Sequence, residues 1–251
     1  MRAEMTDAEA AEAIAGLLLK LRARDVVTGE EEEVLRASVG QLQEFPAGRT
    51  VVRSGTTLSA STLLVEGIMC RYKDLADGQR QIMELHVAGD FVDLHGFLLK
   101  RLDHNVGAMT AIRVANVPHD ALRGITETHP HLARMLWFST LLDAAIHREK
   151  ILSIGRRSAL ARIAHIFCEL LVRLRIAGLA NESGYALPLT QADLADVTGL
   201  TSVHVNRMLK KLRDDDLLTF RGGKVVVGDW ERLQRIAEFD PTYLHLERRP
   251  R

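Results

Sequence analysis

The run LTQADLADVTGLTSVHVNRMLKKL, residues 189–212, decides how the C-terminal part of this 251-residue chain folds. Thr190 with Asp193 is suited to cap a short helix running through Val197. Leu194 and Ala195 fall on its inner side, and Ala195 is small where two helices must cross closely. Gly199 stands where a tight turn between helices asks for a positive φ. Thr201 is a second N-cap, and Val205, Met208, Leu209 and Leu212 follow at i, i+3, i+4 and i+7, one buried stripe. That burial turns Ser202, Val203, Asn206, Arg207 and Lys210 outward. The pattern predicts a helix-turn-helix.

Asp214-Asp215-Asp216 ends the second helix, and Leu217–Phe220 and Lys224–Val227 then flank Arg221-Gly222-Gly223, a hairpin with a glycine turn. Between Thr201 and Lys224 stand six Lys or Arg against three Asp, a local excess of three in a chain of zero formal net charge. A nucleic-acid reading must therefore rest on this local patch. Residues in the first turns of such a helix reach base edges in the major groove. Arg207 suits guanine, whose O6 and N7 its fork bonds together, and Val203 suits a thymine methyl. Lys210 and Lys211 suit phosphates. The candidate DNA-binding set is Thr190, Gln191, Thr201, Ser202, Val203, His204, Asn206, Arg207, Lys210, Lys211 and Arg221. The plainer alternative is a helical hairpin with a solvated basic face.

Working outward, residues 1–40 are rich in Ala, Leu and Glu and read as two short helices, with capping boxes at Thr6–Glu9 and Thr28–Glu31. Residues 41–121 carry short β-like runs: Thr50–Val52, Thr62–Val65, Ile68–Cys70, Gln81–Leu85 and Ile112–Ala115. Frequent glycines between them suggest an antiparallel, jelly-roll-like β-roll. From His119 the pattern is helical. A long helix from His131 to Ile154 carries an apolar stripe of Leu132, Met135, Leu136, Leu142 and Ile146, suited to a coiled-coil partner or to packing on the roll. Gly155 reads as a hinge, Ser158–Leu174 as a helix buried on one face, and Leu246–Arg251 as a frayed tail. The fold class is α+β, divided into N-terminal helices (1–40), roll (41–121), long helix with hinge (122–155) and winged helix-turn-helix (156–251).

Several function classes drop out. No run approaches the roughly 18 apolar residues of a membrane helix. Glu4, Asp7, Glu9 and Glu12 precede the Leu17–Leu19 run, where a secretion signal would carry positive charge. Two cysteines, Cys70 and Cys168, cannot make a disulfide framework or a four-thiolate cluster, which points to the cytoplasm. His86 to His95 lacks the H-x-H spacing of a metal-dependent cupin, and no phosphate-cradling glycine loop is present, so no enzyme, catalytic residue or metal site is expected. His86, His95 and His104 leave haem open as the one prosthetic group, beside the bland reading of scattered polar histidines.

With Leu189–Val227, Phe45-Pro46-Ala47-Gly48, Gly67 and Gly89-Asp90-Phe91 in view, the chain resembles the Crp/Fnr family of bacterial regulators over about residues 40–230, most specifically at Gly199–Leu212. The resemblance implies a homodimer: a β-roll sensor domain, a long dimerisation helix and a winged helix-turn-helix on a palindromic DNA operator. It also implies RNA polymerase as a partner where the regulator activates. Members that bind cyclic AMP follow Gly-Asp-Phe with a ribose-binding glutamate, and further on an Arg-Ser pair takes the phosphate. The matching positions here are Leu94 and Val106-Gly107, which with His95 make up the candidate effector pocket. Without the arginine an anion would be poorly compensated there, so cyclic AMP is not expected. Iron–sulfur is not expected either, because residues 1–40 contain no cysteine. The alternative function is a ligand- or haem-binding sensor that controls a partner protein rather than DNA.

Overall fold

A computed structural model describes residues 5–251, so Glu4 of the acidic N-terminal reading lies outside the described residues. Helices α1 (Asp7–Arg22) and α2 (Gly29–Ser38) open the chain, and both expected capping boxes form at Thr6 and Thr28. Then come β1 (Leu42–Phe45), β2 (Thr50–Val52), β3 (Ala60–Glu66), β4 (Ile68–Asp74), β5 (Arg80–Val87), the short α3 (Gly96–Leu99), β6 (Asn105–Ala108) and β7 (Ile112–Pro118). Helices α4 (His119–Thr128), α5 (Pro130–Arg156) and α6 (Ala159–Ile176) follow, then β8 (Gly184–Ala186), α7 (Gln191–Thr198), α8 (Ser202–Asp214), β9 (Leu218–Arg221), β10 (Lys224–Val227) and α9 (Trp230–Ala237). The chain divides into two compact units. One holds residues up to 72, 85–144 and 246–251, and the other holds 73–84 and 145–245.

The strands between residues 42 and 118 form two sheets, one of order β1-β7-β3 and the other β2-β6-β4-β5. Side chains alternate across a strand, and the two faces of β7 and β3 show it. Leu64 and Val114 point into a core shared with Val52, Met69, Val106 and Ala108 of the second sheet. Their neighbours Leu63 and Ala115 face the other way, into a cluster with Ile14, Leu17, Leu35, Leu122 and Leu132 of the helices. The roll is thus a two-layer β core with a helical coat. Strands β1 and β6 escaped the sequence reading because LQEF carries no apolar alternation and NVGA offers only Val106 and Ala108 about a glycine. Pairing with β7, and with β2 and β4, makes them strands.

Gly89 shows why Gly89-Asp90-Phe91 has its form. Its φ is +85°, and a Cβ there would lie 2.4 Å from the carbonyl carbon of Gly16 on α1. Asp90 closes the turn by accepting from the Val87 amide at 2.9 Å, and Lys20 of α1 reaches the same carboxylate at 2.6 Å. The helix therefore lies directly on the turn.

In the α5 region and beyond, one open alternative closes and two expectations change. Leu132, Met135 and Leu136 are buried with the helical coat of the roll, so this part of the apolar stripe serves packing within the chain. Gly155 does not interrupt α5, which runs one residue beyond it to Arg156, about 40 Å in all. The C-terminal segment is held rather than frayed. The Arg249 amide donates to the Arg24 carbonyl at 2.9 Å, and the Arg251 guanidinium lies 3.9 Å from the centre of the Phe138 ring.

In the second unit α6 is buried on more than one face. Ile163, Phe167, Leu170 and Leu171 are enclosed, and so are His165, Glu169 and Arg173. The polar three form a network: Tyr243 donates to Glu169 at 2.7 Å, Arg173 donates to Glu169 at 3.2 Å, and His165 lies 3.1 Å from the Tyr243 hydroxyl. Burial pushes the His165 imidazole down to about 4, so it stays neutral at physiological pH.

Candidate nucleic-acid interface

The predicted caps and turn of the helix-turn-helix all form. The Thr190 hydroxyl accepts from the Asp193 amide at 3.1 Å, while the Asp193 carboxylate accepts from the Thr190 amide at 2.9 Å, which closes a capping box at the start of α7. Gly199 ends the helix in the left-handed region, φ +64° and ψ +35°. Thr201 caps α8 by accepting from the His204 amide at 3.3 Å. Val205, Leu209 and Leu212 are buried, and Met208 is only half-buried at the edge of the stripe. At about 1.5–3 kcal/mol per fully buried aliphatic side chain, this stripe fixes the rotation of α8 about its axis.

The rotation sets the outer face. Ser202, Val203, His204, Asn206, Arg207, Lys210 and Lys211 are all exposed. Val203 stands out at 79% exposure, because a branched aliphatic side chain there gains nothing from water. Thr190, Gln191 and Thr201 are exposed beside it. Across the two helices, the Asn206 amide nitrogen donates to the Gln191 side-chain oxygen at 3.1 Å.

The wing is a three-stranded sheet of order β8-β10-β9. Arg221 pairs with Lys224, so Arg221 belongs to a strand and the turn is the two residues Gly222 and Gly223, with φ of +59° and +70°. That matches the two-residue hairpin turn that follows strand twist. Arg221 and Lys224 are exposed on either side of it. Strand β8 was not expected. Gly184 admits the close strand contact, since a Cβ there would lie 2.0 Å from the Val225 oxygen. Tyr185 anchors the strand by donating to the Phe167 carbonyl at 2.9 Å. Helix α9 was also missed, though Asp229 as N-cap with Leu233 and Ala237 inward was there to be read.

Residues remote in sequence brace α7. Arg80 donates to Asp196 at 2.8 Å and to Asp193 at 3.2 Å. Gln81 donates to the Asp196 carbonyl at 2.8 Å, and Arg162 to the Thr198 carbonyl at 2.8 Å. Gln81 and Arg162 satisfy carbonyls that a helix end leaves open, while Arg80 holds two carboxylates on α7. No local sequence signal marks Arg80 or Gln81 for this task.

The effector-pocket candidates sit in the roll. Leu94 is buried in the cluster with α1 and α5, and Val106 is buried between the two sheets. A Cβ at Gly107 would lie 3.0 Å from the Tyr72 ring. His95 is partly exposed, its ring 5.3 Å from that of His104. His86 is fully buried, and His104 lies 2.9 Å from Asp103. Among the described residues no group of three or more His, Cys, Asp or Glu is placed to hold a metal ion. The same core holds an enclosed arginine. Arg71 donates to the Val92 carbonyl at 2.7 Å and to Asp143 of α5 at 2.8 Å. Beside it burial pushes the Asp93 carboxyl up to about 6, against hydrogen bonds from the Thr62 amide and hydroxyl.

Comparison with known proteins gives these elements a context. The profile of the Crp-like helix-turn-helix domain matches residues 161–236, and that of the cyclic nucleotide-binding domain matches residues 42–129. The transcriptional activator protein FnrL of Cereibacter sphaeroides is 30% identical over 209 residues, 81% of this chain and 83% of that protein. The nitrogen fixation regulation protein FixK of Bradyrhizobium diazoefficiens is 27% identical over 79% of this chain and 83% of its own length. Among solved structures, FixK2 from Bradyrhizobium japonicum superposes with a TM-score of 0.71 at 26% identity, covering 78% of this chain and 96% of that one.

Proposed function

The chain belongs to the Crp/Fnr family of transcription regulators, and from that premise we propose that it binds a palindromic operator as a homodimer and activates transcription without a cyclic nucleotide. It is a DNA-binding regulator. The observation that carries the finer reading is the outer face of α8, where Val203, Asn206 and Arg207 stand exposed above a buried stripe that fixes their direction. In this reading Arg207 bonds guanine, Val203 meets a thymine methyl, and Lys210, Lys211 and Arg221 lie along phosphates. Thr190, Gln191 and Thr201 at the helix starts add backbone contacts, where open amides favour anions. Relatives named as activators support activation, and RNA polymerase is then the protein partner.

The dimer rests on α5. Trp137, Leu141, Ala144, Arg148 and Ile151 repeat at alternating steps of four and three, and Trp137 and Ile151 are 66% and 71% exposed. A heptad seam on a 27-residue helix suits a second copy of the same helix. The absence of a nucleotide rests on the roll. The positions that would take the cyclic phosphate are Val106 and Gly107, an enclosed aliphatic residue and a glycine backed by Tyr72, and neither supplies a cation. Arg71 is already committed to Val92 and Asp143. The N-terminal region carries no cysteine to hold an iron–sulfur cluster, and Cys70 and Cys168 are buried. Among the described residues no helix is long and apolar enough to cross a membrane, and the cytoplasm, where operators are reached, is the proposed location.

Titration of labelled operator duplex at several salt concentrations tests this reading. Affinity should fall steeply with salt, as counterion release requires. Arg207→Ala should cost about 1–3 kcal/mol on the operator and relax one base position. Operator affinity unchanged in that variant would refute the assignment of α8.

A further inference from the structure

We infer that Asn206 reads an adenine in each half-site, with Gln191 as the positioning residue that fixes its amide for the purpose. This deepens the DNA reading of α8 and rests on it. Asn206 is exposed in the second turn of α8, next to Arg207 and three residues beyond Val203. Its side chain does not rotate freely, because the amide nitrogen donates to the oxygen of Gln191, the first residue of α7, at 3.1 Å.

The chemistry of the amide selects the base. A primary amide carries two N–H donors and one carbonyl acceptor. With one N–H held by Gln191, the second N–H and the carbonyl remain. Adenine presents the complementary pair in the major groove, the N7 acceptor beside the N6 donor, and Asn bonds both at once. Guanine offers two acceptors in the same place and would set O6 against the amide oxygen. Orientation matters because an exposed amide can flip, which exchanges oxygen for nitrogen and destroys the match. Gln191 is an amide too, and a phosphate, which only accepts, would draw its N–H groups and leave its oxygen for Asn206, so that the pair keeps the orientation with nitrogen toward α7. Gln191 also keeps its own two N–H donors, which suit the phosphate next to that base. A half-site in which Val203, Asn206 and Arg207 specify thymine, adenine and guanine follows from one helix face.

Selection of bound duplexes from a library of randomised half-sites, with the full-length chain, tests the assignment. The wild type should enrich one adenine beside the guanine read by Arg207. Asn206→Ala should lower the preference for that adenine about ten- to hundredfold and leave the guanine preference in place. Gln191→Ala should weaken the adenine preference partially. Gln191→Glu keeps the acceptor and should restore the preference ratio, even though its charge lowers affinity for every sequence. A purely structural or phosphate role for Gln191 predicts no such rescue. If Asn206→Ala weakens all sequences equally, or leaves the adenine enriched, the assignment is wrong while DNA reading stands. If the wild type enriches no site, the DNA reading falls first and this inference with it.

Discussion

Gly199 is the residue on which the reading head turns. Its left-handed backbone is unfavourable for a side chain by roughly 1–2 kcal/mol, although the space around a Cβ there is adequate, with Gln81 3.5 Å away. Gly199→Ala should therefore destabilise the second unit by about that amount, seen as a lower denaturation midpoint, with operator affinity falling alongside. An unchanged midpoint would mean that the turn relaxes without strain. His131 offers a second test at this scale. It lies 2.5 Å from Glu31 and 3.2 Å from Asp25, and the hydrogen bond that it donates to the Glu31 carboxylate holds its imidazole above the usual 6.5. A raised folded-state value means that its contribution is fully present below about 6.5 and is lost as pH rises through the higher folded value. Stability measured by urea should fall across that window in the wild type and lose this component in His131→Gln. Equal pH profiles for the two proteins would assign the dependence elsewhere.

Among the elements, α7 and α6 show how much of the proposed interface is prepared by residues behind it. The brace on α7 is partly exposed, so solvent screens its ion pairs and their net worth is small. Arg80→Ala should accordingly leave the midpoint of unfolding nearly unchanged. It should speed amide exchange in α7 and reduce operator affinity by less than tenfold. Exchange rates identical to wild type would show that Gln81 and Arg162 hold the helix alone. The network on α6 is another matter, because Glu169 and Arg173 are both buried. Glu169→Ala leaves the Arg173 guanidinium without its carboxylate in the interior and should cost about 3–5 kcal/mol. A smaller loss, read by denaturant titration, would mean that water reaches Arg173 in the variant.

For the whole molecule, zero net charge and an exposed apolar seam lead to the same expectation. A neutral chain has no general attraction for polyanions, so binding must come from the local excess of charge around α8 and the wing, used twice in the proposed dimer. Trp137→Glu with Ile151→Glu puts charge into the α5 seam. Sedimentation should then give a monomer, and operator affinity should fall by more than a hundredfold while the far-ultraviolet dichroism stays unchanged. A variant that remains dimeric would move the interface off this face of α5. Binding to the roll is a separate matter, since two of its candidate positions, Leu94 and Val106, lie in different clusters on either side of β7 and β3.

Local chemistry determined what local chemistry can. Capping at Thr6, Thr28, Thr190 and Thr201, the left-handed Gly199 and the inward stripe of α8 depend on residues within a few positions of each other, and all of them could be read from the chain. So could the exposed face of α8, because it is what the stripe leaves over. Strands β1, β6 and β8 could not be read, since their backbone groups are satisfied only by partners tens of residues away. The same holds for Arg80 on α7, the Gln191–Asn206 contact and the Arg251 guanidinium over Phe138. Nor does periodicity reveal which apolar stripe of α5 the chain buries itself and which it leaves exposed. Both repeat at helical spacing, and only the position of the roll distinguishes them.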